Sequence, residues 1–452
     1  MEQADLVIQA RWIIPVEPRG CVLDHHAIVI RSGRIVALLP TAEVENRFAA
    51  TRIVDRPQHI LLPGLINAHT HAAMSLFRGM ANDMPLEHWL GEHIWPAETR
   101  WTSQNFVRDG TNLAIIEMLR GGTTCFQDMY YFPDVVAQTA VECKIRAVVG
   151  MIVIEMPTAW ARDTDEYFSK GIAVHDQYQG HPLISTTFAP HAPYTISDTT
   201  CERLQMLANE LDLPVHMHVH ETSNEIQTSI NTYGRRPLQR IDEQGLVNSL
   251  LTTVHMTQLQ EEEIVLLAER GVSVVHCPES NLKLASGFCP TARLLDAGVN
   301  VALGTDGAAS NNDLDMFGEM RTAALLGKGI AGDAAVLSAE DTLAMATINS
   351  AHALGIGAET GSLEAGKFAD IICVDVNQPA TQPVHQPIST LVYSASRDQV
   401  ADVWVGGEQL LADRQLINID QSEILLRAEA WQRRLSESDK PDNARDNQKT
   451  QR

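Results

Sequence analysis

The sequence has no CxxC pair, no basic excess, no internal repeat and no apolar run long enough to cross a bilayer. Its seven cysteines (Cys21, Cys125, Cys143, Cys201, Cys277, Cys289, Cys373) are odd in number and scattered. That argues against a disulfide framework and for a reducing compartment. No stretch approaches the roughly 18–20 apolar residues of a membrane helix. The opening MEQADLVIQARWIIPVEP carries acids where a signal peptide needs bases, and Arg11 breaks its apolar run. A cytoplasmic protein is expected. With 34 basic against 57 acidic residues, a net charge of −23, the surface disfavours nucleic-acid backbones and anionic membranes as partners.

What is present is core-forming material in a regular order. The 452 residues are 44% hydrophobic, enough for a barrel with additions or for two or three domains. DLVIQARWIIPV and AIVIRSGRIVALL read as β-strands, with Ser32-Gly33 a turn in the second. From HILLPGLINAHTH onward, strands alternate with helices. The strand candidates are 60–69, 123–129, 145–154, 183–190, 214–220, 251–255, 272–277 and 299–305. Helical patterns cover 103–120, 197–211, 260–270 and 313–327. Eight strands separated by helices fit an α/β fold of the (β/α)8 TIM-barrel type. An open doubly wound sheet would want a Gly-rich phosphate loop after its first strand, and PGLINAHTH is not one. LSAEDTLAMATINSAHALGI reads as one further helix with Ser338 as N-cap. Strands then resume in FADIICVDV, TLVYSA and VADVWVGGEQLL. The expected division is 1–58 and 359–432 for a small β-sandwich domain made from both chain ends, and 59–358 for the barrel. Residues 433–452 form a polar tail expected to be frayed.

The predicted strand ends hold the chemistry. The first barrel strand ends in His69-Thr70-His71, and residues two apart on a strand face the same way. The fifth places His216, His218 and His220 on one face and runs into Glu221. The sixth ends in His255, the seventh in His276, and the eighth in Gly304-Thr305-Asp306. In a (β/α)8 barrel the C-terminal strand ends share one mouth, where active sites sit. Imidazoles and a carboxylate suit zinc with one position left for water. Each residue also has a plain reading. A lone HxH pair is more often core or surface than ligand, and a strand-end Asp is more often a cap. The conjunction at five strand ends is what argues for a metal site.

LPGLINAHTHAAMSLFRG, HVHE, VVHCPESNLKL, LGTDGAASNNDLDM and GSLEAGKFADI resemble the amidohydrolase superfamily, over roughly residues 5–430. Within it they resemble the 5-methylthioadenosine/S-adenosylhomocysteine deaminase group, which borders triazine chlorohydrolases. The resemblance implies metal ligands His69, His71, His218 and Asp306, with His255, Glu221 and Asp306 as catalytic residues. Glu221 would carry protons to a ring nitrogen, Asp306 would take one from water, and His255 would orient that water. Substrate would meet Trp89, Glu98, His191, Glu221 and Asp306, with Glu98 toward the ribose hydroxyls. His216, His220 and His276 are left with structural roles. One divalent metal is implied, Zn2+ before Fe2+ or Mn2+, because neither VVGMIVIE nor STTFAPHAP offers the lysine of two-metal relatives. The other zinc-deaminase design, H-x-E followed by P-C-x-x-C, is absent.

The implied activity is hydrolytic deamination of a small nucleoside: 5′-methylthioadenosine, S-adenosylhomocysteine or adenosine. The group commonly forms homo-oligomers. Some relatives place arginines after the third barrel strand to meet the homocysteine carboxylate; here only Arg162 lies nearby. A triazine, guanine or pterin hydrolase on the same scaffold is the alternative. A metal-dependent binding protein is a third, opposed by Glu221, since binding needs no proton carrier.

Overall fold

Two sheets account for the chain, as seen in a computed structural model that describes residues 1–438. The N-terminal strands are β1 (Glu2–Ile13), β2 (Leu23–Arg31), β3 (Arg34–Pro40) and β4 (Phe48–Pro63). The barrel strands are β5 (Leu65–Thr70), β6 (Thr123–Asp128), β7 (Arg146–Val153), β8 (Ile184–Pro190), β9 (Val215–Val219), β10 (Leu251–His255), β11 (Ser273–His276) and β12 (Asn300–Leu303). After them come β13 (Ile371–Asp375), β14 (Val400–Val405), β15 (Glu408–Ala412) and β16 (Gln415–Leu416).

β5 to β12 are parallel neighbours in chain order, as the alternation predicts. Nearly every residue on them is buried, because helices cover the outside and side chains fill the inside. The barrel nearly closes where the chain leaves β12. Asp306 N donates to His69 O at 3.0 Å, and the Asn67 side chain bonds Thr305 at both its backbone N and its hydroxyl. Gly304 permits this approach: a Cβ there would lie 2.8 Å from His69 N.

The chain ends meet in a single sheet of order β16-β15-β14-β13-β4-β1-β2-β3. The expected β-sandwich is therefore one hydrogen-bonded sheet that curls over its own apolar face, with Trp404 of β14 sharing a core with Ile8, Ile28 and Ile35. The β2–β3 turn touches the β14–β15 turn although β1, β4 and β13 lie between them, and a Cβ at Gly33 would come 2.6 Å from Gly406 O.

Three expectations are corrected. TLVYSA, expected as a strand, lies mostly in the helix Pro387–Tyr393, which Pro387 opens and whose buried Ile388, Leu391 and Val392 follow helical spacing. The helix expected after Ser338 is two helices, Ala339–Met345 and Ile348–Ala353. Ser338 does cap the first, its hydroxyl accepting from Asp341 N. The break falls where the Ala346 carbonyl turns to accept from Ile66 N of β5, a tertiary bond that helical periodicity does not reveal. The polar tail is helical through 438, in the helix Gln421–Ser438. Trp431 anchors it: its ring meets Phe106 at 5.2 Å and its indole donates to Asp109 at 2.8 Å. The remainder of that expected tail, 439–452, lies outside the described residues.

Candidate metal centre and cleft

The C-terminal ends of β5, β9 and β12 deliver His69, His71, His218 and Asp306 to one point. One ligand atom from each lies within 4.8 Å of all the others. Asp306 Oδ1 is 3.5 Å from His69 Nε2 and 3.2 Å from His71 Nε2. His218 Nε2 faces His69 Nε2 at 3.0 Å. The opposite ring nitrogens are occupied. His71 Nδ1 donates to the Met129 carbonyl at 2.5 Å, and His218 Nδ1 donates to the His191 carbonyl at 2.7 Å. His69 Nδ1 pairs with His216 Nε2 at 2.9 Å. A carbonyl can only accept, so His71 and His218 each carry a proton on Nδ1, which leaves Nε2 as the ligand atom of each ring in its neutral form. His218 Nε2 and His69 Nε2 face each other 3.0 Å apart beside the Asp306 carboxylate, a convergence of ligand atoms at one point. The donor set therefore fits a divalent metal: three Nε2 atoms and a carboxylate oxygen.

Asp306 is fixed at its other oxygen, where Oδ2 accepts from Ser280 at 2.7 Å and Ser310 at 2.8 Å. Burial opposes its ionisation, but the hydrogen bonds with His69 and His71 outweigh it and hold the carboxyl well below its usual range. Burial likewise depresses His71, yet Asp306 wins and pushes it up to about 9. Burial lowers His69 to about 4 and holds His218 well below 6.5. Asp306 (φ 62°) and His255 (φ 76°) both occupy the left-handed region, which costs about 1–3 kcal/mol each for residues other than glycine.

Glu221 follows β9 and is buried at the same cleft. Its carboxylate is 3.8 Å from His255 Nε2. Burial, then Asp306, pushes Glu221 up to about 8. Its backbone N donates to Glu225 Oε2 at 2.6 Å, so Glu225 fixes the turn that presents it. His255 Nδ1 pairs with Asn281 at 2.9 Å. Trp89, Glu98, His191, Glu221, His255 and Asp306 all line the cleft. Glu98 is buried beside Tyr130, and burial pushes its carboxyl up to about 7. Trp89 begins a π-helical turn, Trp89–Ile94; its indole N–H and His191 Nδ1 have no partner among the described residues.

The structure thus gathers every residue the resemblance singled out. Arg162 is not among them: its side chain is 83% exposed and faces Asp163 and Glu166. His276 is buried and does not line the cleft. His220 does not share a face with His216 and His218, because β9 ends at Val219 and His220 turns left-handed at φ 57°. Its Nε2 accepts from Leu238 N instead. A purely structural reading of His216 is too coarse, since it fixes the His69 ring; its two-residue spacing from His218 was the available signal. Asn281, Ser280 and Ser310 were missed, although all three lie inside motifs already singled out.

Residues 60–410 match the model of the amidohydrolase family. The chain belongs to that family. It is 50% identical to a 5-methylthioadenosine/S-adenosylhomocysteine deaminase of Teredinibacter turnerae, over 95% of this chain and 98% of that one. A crystal structure of an adenosine deaminase from Xanthomonas campestris with bound zinc superposes with a TM-score of 0.95 at 54% identity, covering 96% and 99% of the two chains. An atrazine chlorohydrolase of Arthrobacter aurescens shares the fold, with a TM-score of 0.89 at 24% identity over 94% and 99%. The chain is a metal-dependent amidohydrolase.

Proposed function

We propose that this amidohydrolase deaminates the adenine ring of 5′-methylthioadenosine, giving the inosine analogue and ammonia. The observation that carries the reading is the pairing of the His69, His71, His218, Asp306 cluster with a buried, proton-retaining Glu221 at one end of an apolar cleft. The deaminase relatives supply the substrate class.

One divalent ion would be held by those four residues, with zinc favoured by the donor set and by the zinc-bound relative. When bound it supplies a Lewis acid that makes water nucleophilic near neutral pH. Glu221 gives a proton to the ring nitrogen beside the amino-bearing carbon, which makes that carbon electrophilic. His255 aligns the water through its Nε2. As the C–O bond forms, Asp306 takes a proton from the water and passes it to the amino group. The C–N bond then breaks and ammonia leaves. The adduct's hydroxyl proton returns to Glu221, and the ring nitrogen keeps the proton it received.

Glu98 would accept from ribose hydroxyls, with Trp89 and His191 flanking. Of the two substrates named for the relatives, the lining favours the smaller. Among the described residues, no Lys or Arg lines the cleft, whereas Leu86, Leu90, Ile94, Ile152 and Ile154 do. A methylthio group suits that lining. A homocysteine carboxylate would lose its water there without gaining a cation.

The test is ammonia release from 5′-methylthioadenosine, S-adenosylhomocysteine, adenosine, guanine and a chlorotriazine, using metal-analysed protein. Highest kcat/KM is expected for methylthioadenosine. Inert adenosines with a reactive guanine or triazine would overturn the substrate and leave the metal chemistry standing.

A further inference from the structure

The helix Met316–Ala331 contributes nothing to the cleft lining, yet Glu319 on it is fully buried at 0% exposure. An apolar side chain would fill that space without desolvating a carboxyl. The carboxyl instead offers two acceptors to two different segments. Glu319 Oε1 accepts from Asn311 Nδ2 at 2.5 Å, and the same amide nitrogen donates to Thr305 O at 2.9 Å. Glu319 Oε2 accepts from Glu279 N at 3.3 Å, in the first turn of the short helix Pro278–Lys283.

Both segments lead to the metal cluster. The 305–312 loop carries Asp306 itself, and Ser310, next to Asn311, bonds Asp306 Oδ2. The short helix carries Ser280, which bonds the same oxygen, and Asn281, which sets the His255 ring. Glu319 is thus the junction between the two structures that aim Asp306 and His255. Burial and the neighbouring Glu279 carboxylate hold its own carboxyl well above the usual range.

We propose that Glu319 is a positioning residue for this active site: through Asn311 and the Glu279 backbone it aims Asp306 and His255, and so sets metal affinity and kcat without touching substrate. This rests on the reading of the four-residue cluster as the metal site.

The alternative is that Glu319 only packs one helix on another. Thr322 separates the two, because its hydroxyl bonds Glu279 Oε1 at 2.8 Å and so joins the same pair of helices without reaching the Asp306 loop. The experiment measures the zinc dissociation constant by chelator competition, with kcat, KM and thermal midpoint, in Glu319→Ala, Glu319→Gln, Asn311→Ala, the Glu319→Ala/Asn311→Ala double variant and Thr322→Val. Glu319→Ala and Asn311→Ala are each expected to weaken zinc about 10-fold and lower kcat about 10-fold, with KM within about twofold. The double variant should lose about 10-fold rather than 100-fold, because the two residues share one bond. Glu319→Gln, which keeps one acceptor, should recover part of the loss. Thr322→Val should lower the midpoint and leave zinc affinity unchanged.

Wild-type zinc affinity and kcat in Glu319→Ala, or equal effects in Thr322→Val, would overturn the proposal. So would additive losses in the double variant. If Glu319→Ala does not fold, Glu319→Gln and Asn311→Ala carry the same comparison. Wild-type protein that binds zinc but deaminates no adenosine would refute the substrate reading alone, since zinc affinity is read without substrate.

Discussion

Just before β13, Asp370 is surrounded by donors, among them Arg146 at the start of β7. Its two oxygens accept from Arg146 Nε at 2.8 Å and Nη2 at 3.2 Å, from the Thr360 hydroxyl at 3.0 Å and from Gly406 N at 2.7 Å. Arg146 spends its remaining arm on Pro182 O and lies over the Phe368 ring. At the opposite end, the strand termini leave polar groups in reserve. Two histidine Nε2 atoms face each other, the Trp89 indole N and His191 Nδ1 have no partner among the described residues, and Asp306 and His255 occupy left-handed backbone. Both ends bury charge. The lower end satisfies it within the protein and joins the curled sheet to the barrel; the upper end leaves valences for something that binds. Changes below should cost stability and spare chemistry, and changes above should do the reverse.

The largest effect is expected above. Glu221→Gln should lower kcat by about 10²–10⁴-fold, with thermal midpoint and metal content unchanged. A variant with the wild-type rate would remove Glu221 from the chemistry and erase the contrast. Next comes the base. Arg146→Met leaves Asp370 buried and unpaired, which should cost about 3–5 kcal/mol in urea unfolding while kcat/KM per folded molecule holds. A fall in kcat/KM of the folded fraction would mean the two ends are coupled. His216→Phe takes away the partner of His69 Nδ1 and should weaken metal binding about 10–100-fold, read by chelator competition, with little change in unfolding.

Glu98 gives the smallest effect, and a signed one. Burial raises its carboxyl from 4.5 to about 7, so the folded protein keeps a proton that the unfolded chain has lost. That contribution to stability is complete below about pH 4.5 and is lost as pH rises through about 7. Glu98→Gln should flatten this slope. Unfolding free energies at about pH 5 and about pH 8 should differ less in the variant than in the wild type, and an equal difference would show that Glu98 is not the group responsible.

Much of this was legible in the sequence because strand ends in a parallel barrel converge by topology. Period-two strands with a common mouth bring His69, His71, His255 and Asp306 together and offer His216, His218 and His220 alike; the choice of His218 and the role of Glu221 came from the family resemblance. What was illegible depended on tertiary bonds. His220 leaves its expected face because the strand ends one residue earlier and the backbone turns left-handed. The helix after Ser338 breaks because Ile66 of β5 takes the Ala346 carbonyl. The helix Gln421–Ser438 has polar residues on most sides and stands on three buried apolar residues, Ile424, Trp431 and Leu435. The two glycine turns of the sheet meet across three intervening strands, which no strand pattern encodes.

The most direct test is a metal titration of chelator-stripped protein, following ammonia release from 5′-methylthioadenosine. Activity should return in proportion to added zinc and level off at one ion per chain, with His69→Ala protein remaining silent. Activity in the stripped protein that ignores added metal, or a plateau only at two ions per chain, would contradict a single metal held by His69, His71, His218 and Asp306.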